Sequence, residues 1–402
     1  MALQLAENER INHDVQGIWA LVPLVLAVLV ISYLRMFNSE ASMTATAGFA
    51  FGYVMQRSRF CFAAGFRDPF MIRNTAITRV ILLLLLLTGL GLAAVNVFKG
   101  GLPGGGIIYP VGIHTAAGGI LFGFGLVIAG NCVSGGLMRM GEGYIMQWYT
   151  FAGLLIGSAL GAWNLGWWGP MFIEKSPTIF IPDTLGWAPA LTIYIVVLSL
   201  LYLAALWYER GSLNQVVQLG VSLSGAASSI RDSFQTILSG RNWSYAMGAV
   251  FLAAINTMLF FTWGKPAGIT SGLTHLAGWL SCRIGFFPCD WYYFDKLIYL
   301  ESRRIYLEHP LLFLSAFIIL GSFFASLLHS EFKIRKPKSS KFILSALAGG
   351  TLLGYSSRVA MGCNFGGLWG GISSFSLHGW VFGLFILVGA YFGGKFFMRY
   401  LL

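Results

Sequence analysis

Runs of about twenty apolar residues recur along this chain, the length a helix needs to cross the hydrocarbon of a bilayer. Lipid offers the backbone no water to bond, so each such run must satisfy its own amides as a helix. Of 402 residues, 56% are hydrophobic and 10% charged, whereas soluble domains carry about 25% charged residues. The expectation is an all-α, polytopic membrane protein that is not an enzyme. The spans fall at about 17–36, 79–98, 145–167, 188–208, 242–263, 310–330, 341–362 and 378–401. Another leads into Cys132, and a shorter apolar helix covers 44–56. No cleavable secretory signal precedes the first run, which is expected to stay as a transmembrane helix. The 51 glycines suit close helix packing in lipid.

Two stretches repeat each other. With Cys132 aligned on Cys363, Gly119 falls on Gly350, Gly123 on Gly354 and Ala129 on Ala360. Beyond the cysteines, Gly135, Gly136 and Leu137 fall on Gly366, Gly367 and Leu368. One inserted residue later, Trp148, Gly157 and Gly161 fall on Trp380, Gly389 and Gly393. Each copy presents a cysteine in a glycine-rich helix break, Gly130 and Asn131 beside Cys132, Gly362 and Asn364 beside Cys363.

Lys and Arg set the orientation. With the N-terminus inside, inner segments hold 17 of them and outer segments eight, Arg358 lying within a span. The positive-inside rule then puts both termini in the cytoplasm of a cell (inner) membrane protein. It also accounts for the net charge of +11 without nucleic acid. In that orientation the two copies run in opposite senses, as in transporters built from inverted repeats. The expected divisions are an N-terminal segment with an extra helix (1–42), a first repeat (43–208), a polar cytoplasmic connector with a helical stretch at 228–238 (209–241), and a second, inverted repeat (242–402). An external loop is expected at about 280–309.

The chemistry-bearing residues are few. Broken backbone at membrane depth survives only where it is buried in protein or lines a wet path. Cys132 and Cys363 sit at such breaks, and a thiol is a weak donor with a soft, polarisable sulfur, suited to a sulfur anion or a soft metal. Cys61 lies at a turn rich in arginine (Arg57, Arg59, Arg67), which favours thiolate; Gly268 holds the aligned place in the second half. Arg358 is costly in a span unless it faces protein or water, and reads as an anion-attracting group one helical turn before Cys363. Arg57, Arg59 and Arg67 would add to a positive field, although topology signalling explains such a cluster as well. Cys282 and Cys289 could close a structural disulfide within the external loop. His114 and His378 lie near span ends, as interfacial histidines do. No Cys/His set has metal-ligand spacing, and no nucleotide, triad or paired-carboxylate signature is present, so no cofactor is expected.

The run 57–68 containing Cys61, the run 129–136 containing Cys132, the run 358–364 containing Cys363, and the run 375–380 containing His378 together resemble the YeeE/YedE family of sulfur-compound transporters. The last two are similar to its YedE branch, and the likeness runs from about residue 43 to the end. The resemblance implies an hourglass-shaped helical membrane protein whose short re-entrant helices meet at a central constriction. It implies uptake of thiosulfate or a related small inorganic anion past Cys61, Cys132 and Cys363, with a cytoplasmic sulfur-carrier protein as a partner beside the lipid bilayer. Selenium compounds are an alternative substrate within that branch, and membrane thiol-redox or sulfur-transfer chemistry is a further alternative. The connector and the 280–309 insertion set this chain apart from the compact thiosulfate members.

Overall fold

Why the helices form where they do is read most simply at their ends. The computed structural model describes residues 16–100, 106–210, 243–286, 291–297, 309–337 and 339–400. α1 (Leu21–Phe37) ends at Asn38, whose side chain accepts from the Ala41 amide at 3.0 Å and so caps the next helix, α2 (Ser39–Ser58). Arg59, in the left-handed region at φ 53°, stops α2, and Cys61 in extended conformation opens the short α3 (Phe62–Ile72). α4 (Ala76–Lys99) follows, closed by Gly100 at φ 66°. α5 (Ile113–Ile128), α6 (Val133–Gly141) and α7 (Met146–Trp168) make the first broken-helix unit. A five-residue helix, α8 (Ile181–Leu185), precedes α9 (Trp187–Arg210).

The second half begins at α10 (Tyr245–Trp263), capped by the Ser244 side chain and ended by Gly264 at φ 83°. After a non-helical stretch comes α11 (Thr270–Arg283), then α12 (Pro310–Leu328), where proline sits in the first turn and costs no hydrogen bond. α13 (Ser340–Val359) leads to the break at Cys363, a π-helical segment (Asn364–Gly370), the single turn α14 (Gly371–Ser373) and α15 (Leu377–Tyr400). The described residues contain isolated bridges but no extended strand.

Among the described residues, seven helical stretches are long and apolar enough to cross a membrane. α2, α7 and α13 have 20, 23 and 20 residues, but glycine and polar side chains dilute them. α2 and α13 are largely covered by their neighbours, whereas α7 also turns Trp148, Ile156, Leu160 and Trp163 outward. α1 is the opposite case: Leu21, Val22, Val25, Leu26, Val28 and Leu29 are all exposed, and it rests mainly on α2 and α12. In water that surface would be an aggregation liability, and in a bilayer it is the normal lipid face.

The halves interlock by exchange. α13 packs on α7, as α5 packs on α15; α2 packs on α12, as α10 packs on α4. The glycines show the same exchange at single positions. A Cβ on Gly354 would run into the Leu154 carbonyl, and one on Gly123 into the Ile386 carbonyl. Gly157 meets Thr351 and Gly389 meets Ile120 in the same way. Every one of these contacts maps onto its mate under the alignment of Cys132 with Cys363. Small residues here let helix backbones touch, the main source of association in a solvent as apolar as the side chains.

The expected connector helix at 228–238 and half of the 280–309 loop lie outside the described residues. So does Cys289, and with it the expected bridge to Cys282.

Candidate functional site

Each of the three cysteines of interest stands at the N-terminal end of a short helix that follows a break. Cys61 opens α3 and Cys132 opens α6; Cys363 precedes the π-helical segment, its carbonyl accepting from the Gly367 and Leu368 amides at 2.7 and 3.0 Å. The chain reaches Cys132 through Gly130, held in the left-handed region at φ 73°. The aligned residue in the second half is Met361, at φ 57°, a conformation that costs a side-chain-bearing residue energy. All three cysteines are buried.

The fold brings two of the thiols together. Cys61 Sγ lies 3.9 Å from Cys132 Sγ and 3.7 Å from Asn131 Oδ1. Cys132 Sγ in turn lies 3.3 Å from Ser134 Oγ and accepts from the Gly135 amide at 3.4 Å. The N-termini of α3 and α6 therefore converge on one point, each contributing the positive end of its dipole. Gly135 makes the approach feasible, since a Cβ there would stand 2.7 Å from Cys61 Sγ. Cys363 has no hydrogen bond to this pair. Between them lies an aromatic group: Phe62, next to Cys61, meets Phe365 and Trp369 at 6.1 and 6.0 Å between ring centres.

On the Cys363 side there is space. A cavity of about 230 Å³ is lined by Tyr109, Lys265, Gly268, Met361, Gly362 and Gly366, among others. Gly268 stands where the first half has Cys61, and it faces Gly366 as Cys61 faces Gly135. The missing side chain is what opens this mouth, while the two thiols fill the matching place in the first half. There Cys132 borders only a small void of about 10 Å³.

Several buried polar atoms around the cysteines have no partner among the described residues: the donors Asn131 Nδ2, Asn364 Nδ2 and Arg358 Nη2, and the acceptor Asn364 Oδ1. Such groups cost about 1–3 kcal/mol each when left unpaired. Arg358 is 3% exposed. Its Nη1 donates to the Tyr293 hydroxyl at 2.6 Å and its Nε to Ser357 Oγ at 3.4 Å; no carboxylate pairs with it among the described residues. Tyr293 comes from the 280–309 insertion, so this loop reaches the site, and nothing in the local sequence signalled the contact.

The arginines near Cys61 are placed differently from what their sequence suggests. Arg57 lies 3.7 Å from Glu331, Arg59 lies 2.9 Å from Glu331 and 3.7 Å from Glu142, and Arg67 lies 2.8 Å from Asp68. Their charge is offset by carboxylates that sit far off in the sequence, Asp68 excepted. Glu142 is itself buried, and burial raises its carboxyl above the usual range, against the pull of Arg59, Arg139 and Arg335. The described residues hold no group of three or more His, Cys, Asp or Glu side chains able to bind a metal ion.

Comparison with known proteins adds the last observations. Residues 57–392 match the sulphur transport family. The chain is 29% identical over 379 residues to the thiosulfate transporter TsuA of Spirochaeta thermophila, covering 85% of this chain and 94% of that one. It is 24% identical over 352 residues to the thiosulfate transporter TsuA of Escherichia coli, covering 86% and 91%. Against the probable transporter YedE of Salmonella typhimurium it is 34% identical over 154 residues, 38% of each chain.

Proposed function

This chain belongs to the sulphur transport family, and from that premise we propose that it is a permease importing thiosulfate or a closely related sulfur oxyanion. The observation that carries the reading is the pairing of soft thiols with unsatisfied buried donors. Cys61 and Cys132 offer polarisable sulfur 3.9 Å apart, and Asn131, Asn364 and Arg358 offer N–H groups that lack acceptors. A thiosulfate-like anion has a soft terminal sulfur for the first set and hard oxygens for the second. The two relatives whose matches cover most of this chain are both named thiosulfate transporters.

In this reading the anion enters the cavity beside Cys363, drawn by Lys265 and Arg358. It meets Asn364 and the backbone of Gly362, passes the aromatic group, and is handed to Cys132 and Cys61 near Gly130 and Asn131. Several weak sites in series suit transport, because a substrate held too firmly does not leave. Arg57, Arg59 and Arg67 act through a field that Glu142, Glu331 and Asp68 reduce, which favours release over retention at that end. The two halves are inverted in the membrane about an axis between α5 and α13, with both termini in the cytoplasm. The exchange of glycine contacts supports this arrangement, as does the distribution of Lys and Arg. A cytoplasmic sulfur-carrier protein receives the product.

The test is uptake of labelled thiosulfate by the purified protein in proteoliposomes. Wild-type protein should accumulate label, and Cys132→Ala and Cys363→Ala should each reduce uptake to background while eluting as folded protein. Uptake at the wild-type rate in either variant would sink the thiol path, and selenium anions competing better than thiosulfate would move the substrate to selenium chemistry. The close thiol pair also favours a second reading, covalent sulfur transfer. There a Cys61 thiolate takes the outer sulfur of thiosulfate as a persulfide and releases sulfite. Mass spectrometry of alkylated protein after turnover separates the two readings by the presence of that extra sulfur.

A further inference from the structure

His114 and His378 look from the sequence like interfacial residues, yet both are fully buried. His378, at the start of α15, has an unusual bond pattern. Its Nε2 lies 2.8 Å from the Ala360 carbonyl oxygen. A carbonyl can only accept, so Nε2 carries the hydrogen and Nδ1 is left with a bare lone pair, for which the described residues provide no donor. Ala360 caps α13 and is followed by Met361 in its left-handed conformation, then Gly362 and Cys363. The ring of His378 therefore holds the strained break on which Cys363 sits. On its other side it meets the edge of Tyr109 at 5.4 Å, and Tyr109 lines the 230 Å³ cavity.

The charged and titratable groups around His378 are few. α5 brings His114, whose Nε2 is engaged with Thr115 Oγ1 at 3.2 Å; α13 brings Arg358; the break brings Cys363; and residues 106–112 bring Tyr109. α3, also packed on α15, brings Arg67 and Asp68, bonded to each other. The 174–183 segment that runs beside Ser376 and Leu377 carries Glu174, Lys175 and Asp183 on its exposed side. None of the carboxylates offers His378 an ion pair.

We propose that His378 Nδ1 is the proton-binding site of this permease, and that it couples anion entry at the Cys363 cavity to proton uptake. The proposal rests on the permeation path described above. A lone imidazolium buried among Phe382, Tyr109 and backbone is disfavoured, and so is an anion that leaves bulk water for the adjoining cavity. Each lowers the cost of the other. By linkage the effect is reciprocal: the anion raises proton occupancy, and the proton raises anion affinity by the same factor. The proton enters from the cavity side with the anion and leaves when the anion has moved on towards Cys132. A proton gradient directed inward then drives accumulation.

The experiment is thiosulfate uptake into proteoliposomes with and without an inside-alkaline pH gradient, for wild type and His378→Gln. Glutamine places an amide N–H where Nε2 donates to Ala360 and cannot be protonated. Wild-type uptake should rise about fivefold or more with the gradient, whereas His378→Gln should still exchange thiosulfate at equal pH, with weaker apparent affinity, and lose the stimulation. A pH dye in lightly buffered detergent solution gives a second reading: thiosulfate should trigger proton uptake by wild type and none by the variant. If His378→Gln fails to exchange, the dye measurement on wild type and on His114→Gln, which should still take up protons, carries the test. Thiosulfate transport in wild type that ignores the gradient, a variant that keeps the stimulation, or no proton uptake by wild type on adding thiosulfate overturns the coupling while leaving the permease intact. Absence of any wild-type thiosulfate transport would instead overturn the substrate reading.

Discussion

At Gly135 the space between two thiols is set by the absence of one carbon. Adding it in Gly135→Ala would press on Cys61 Sγ at 2.7 Å, and overpacking of this kind costs about 1–3 kcal/mol. Sulfur can shift where backbone cannot, so the expected outcome is a folded protein with the Cys61–Cys132 pair pushed apart and thiosulfate uptake reduced. Uptake at the wild-type level would show that this spacing is irrelevant to passage. Arg358 is the other residue whose neighbourhood defines its role. Its guanidinium is held by Tyr293 and Ser357, with no carboxylate partner among the described residues, a setting that would suit the proposed anion. Arg358→Gln should raise the apparent KM for thiosulfate about tenfold or more, since a hydrogen bond to a charged group contributes about 1.5–3 kcal/mol. Arg358→Lys should recover part of that loss; an unchanged KM in the glutamine variant would remove Arg358 from the path.

Among the elements, the four helices α5, α7, α13 and α15 meet backbone to backbone through glycine. Gly123 on α5 and Gly354 on α13 are mates under the repeat alignment, and each approaches a carbonyl of the opposite half, Ile386 and Leu154. Rigid backbone cannot yield as a side-chain sulfur does. Gly123→Ala and Gly354→Ala should each lower stability by about 1–3 kcal/mol and by similar amounts, read as lowered melting temperatures in one detergent. A loss at one position and none at the other would show that the matching contacts are not equivalent. The breaks obey a related logic. Gly130 takes a left-handed turn at no steric cost, whereas Met361 takes it at some cost, beside the bond from His378 to Ala360. The second break is thus the more constrained one, and it is the one next to the open cavity.

For the whole molecule, the orientation in the membrane decides which mouth is the entrance. A fluorescent protein fused after Leu402 should glow in intact cells if the C-terminus lies in the cytoplasm, and an alkaline phosphatase fused at the same place should be silent. The reverse pattern would turn the path around. Much of the architecture was legible before any coordinates: the apolar runs named the long helices to within a few residues, because in lipid a run of that length has no other way to satisfy its backbone. The paired cysteine breaks were legible too, because Gly119, Gly123, Gly135 and Gly136 around the first cysteine recur at one offset as Gly350, Gly354, Gly366 and Gly367 around the second. What stayed hidden needed the folded chain. That Cys61 lies against Cys132, that Glu331 and Glu142 answer Arg59, and that Tyr293 meets Arg358 are contacts between residues far apart in sequence, with no local periodicity to announce them. The burial of His378 was hidden for the same reason, since a position near a span end reads as interfacial until neighbouring helices cover it. The sequence by itself determined a helical membrane protein in which one glycine-rich, cysteine-bearing break occurs twice, since helix formation in lipid is a local demand on each segment. Only the tertiary structure decided which sulfurs meet and which mouth stands open, because those depend on close packing between distant segments, where one side chain, Cys61 against Gly268, fills or leaves a space.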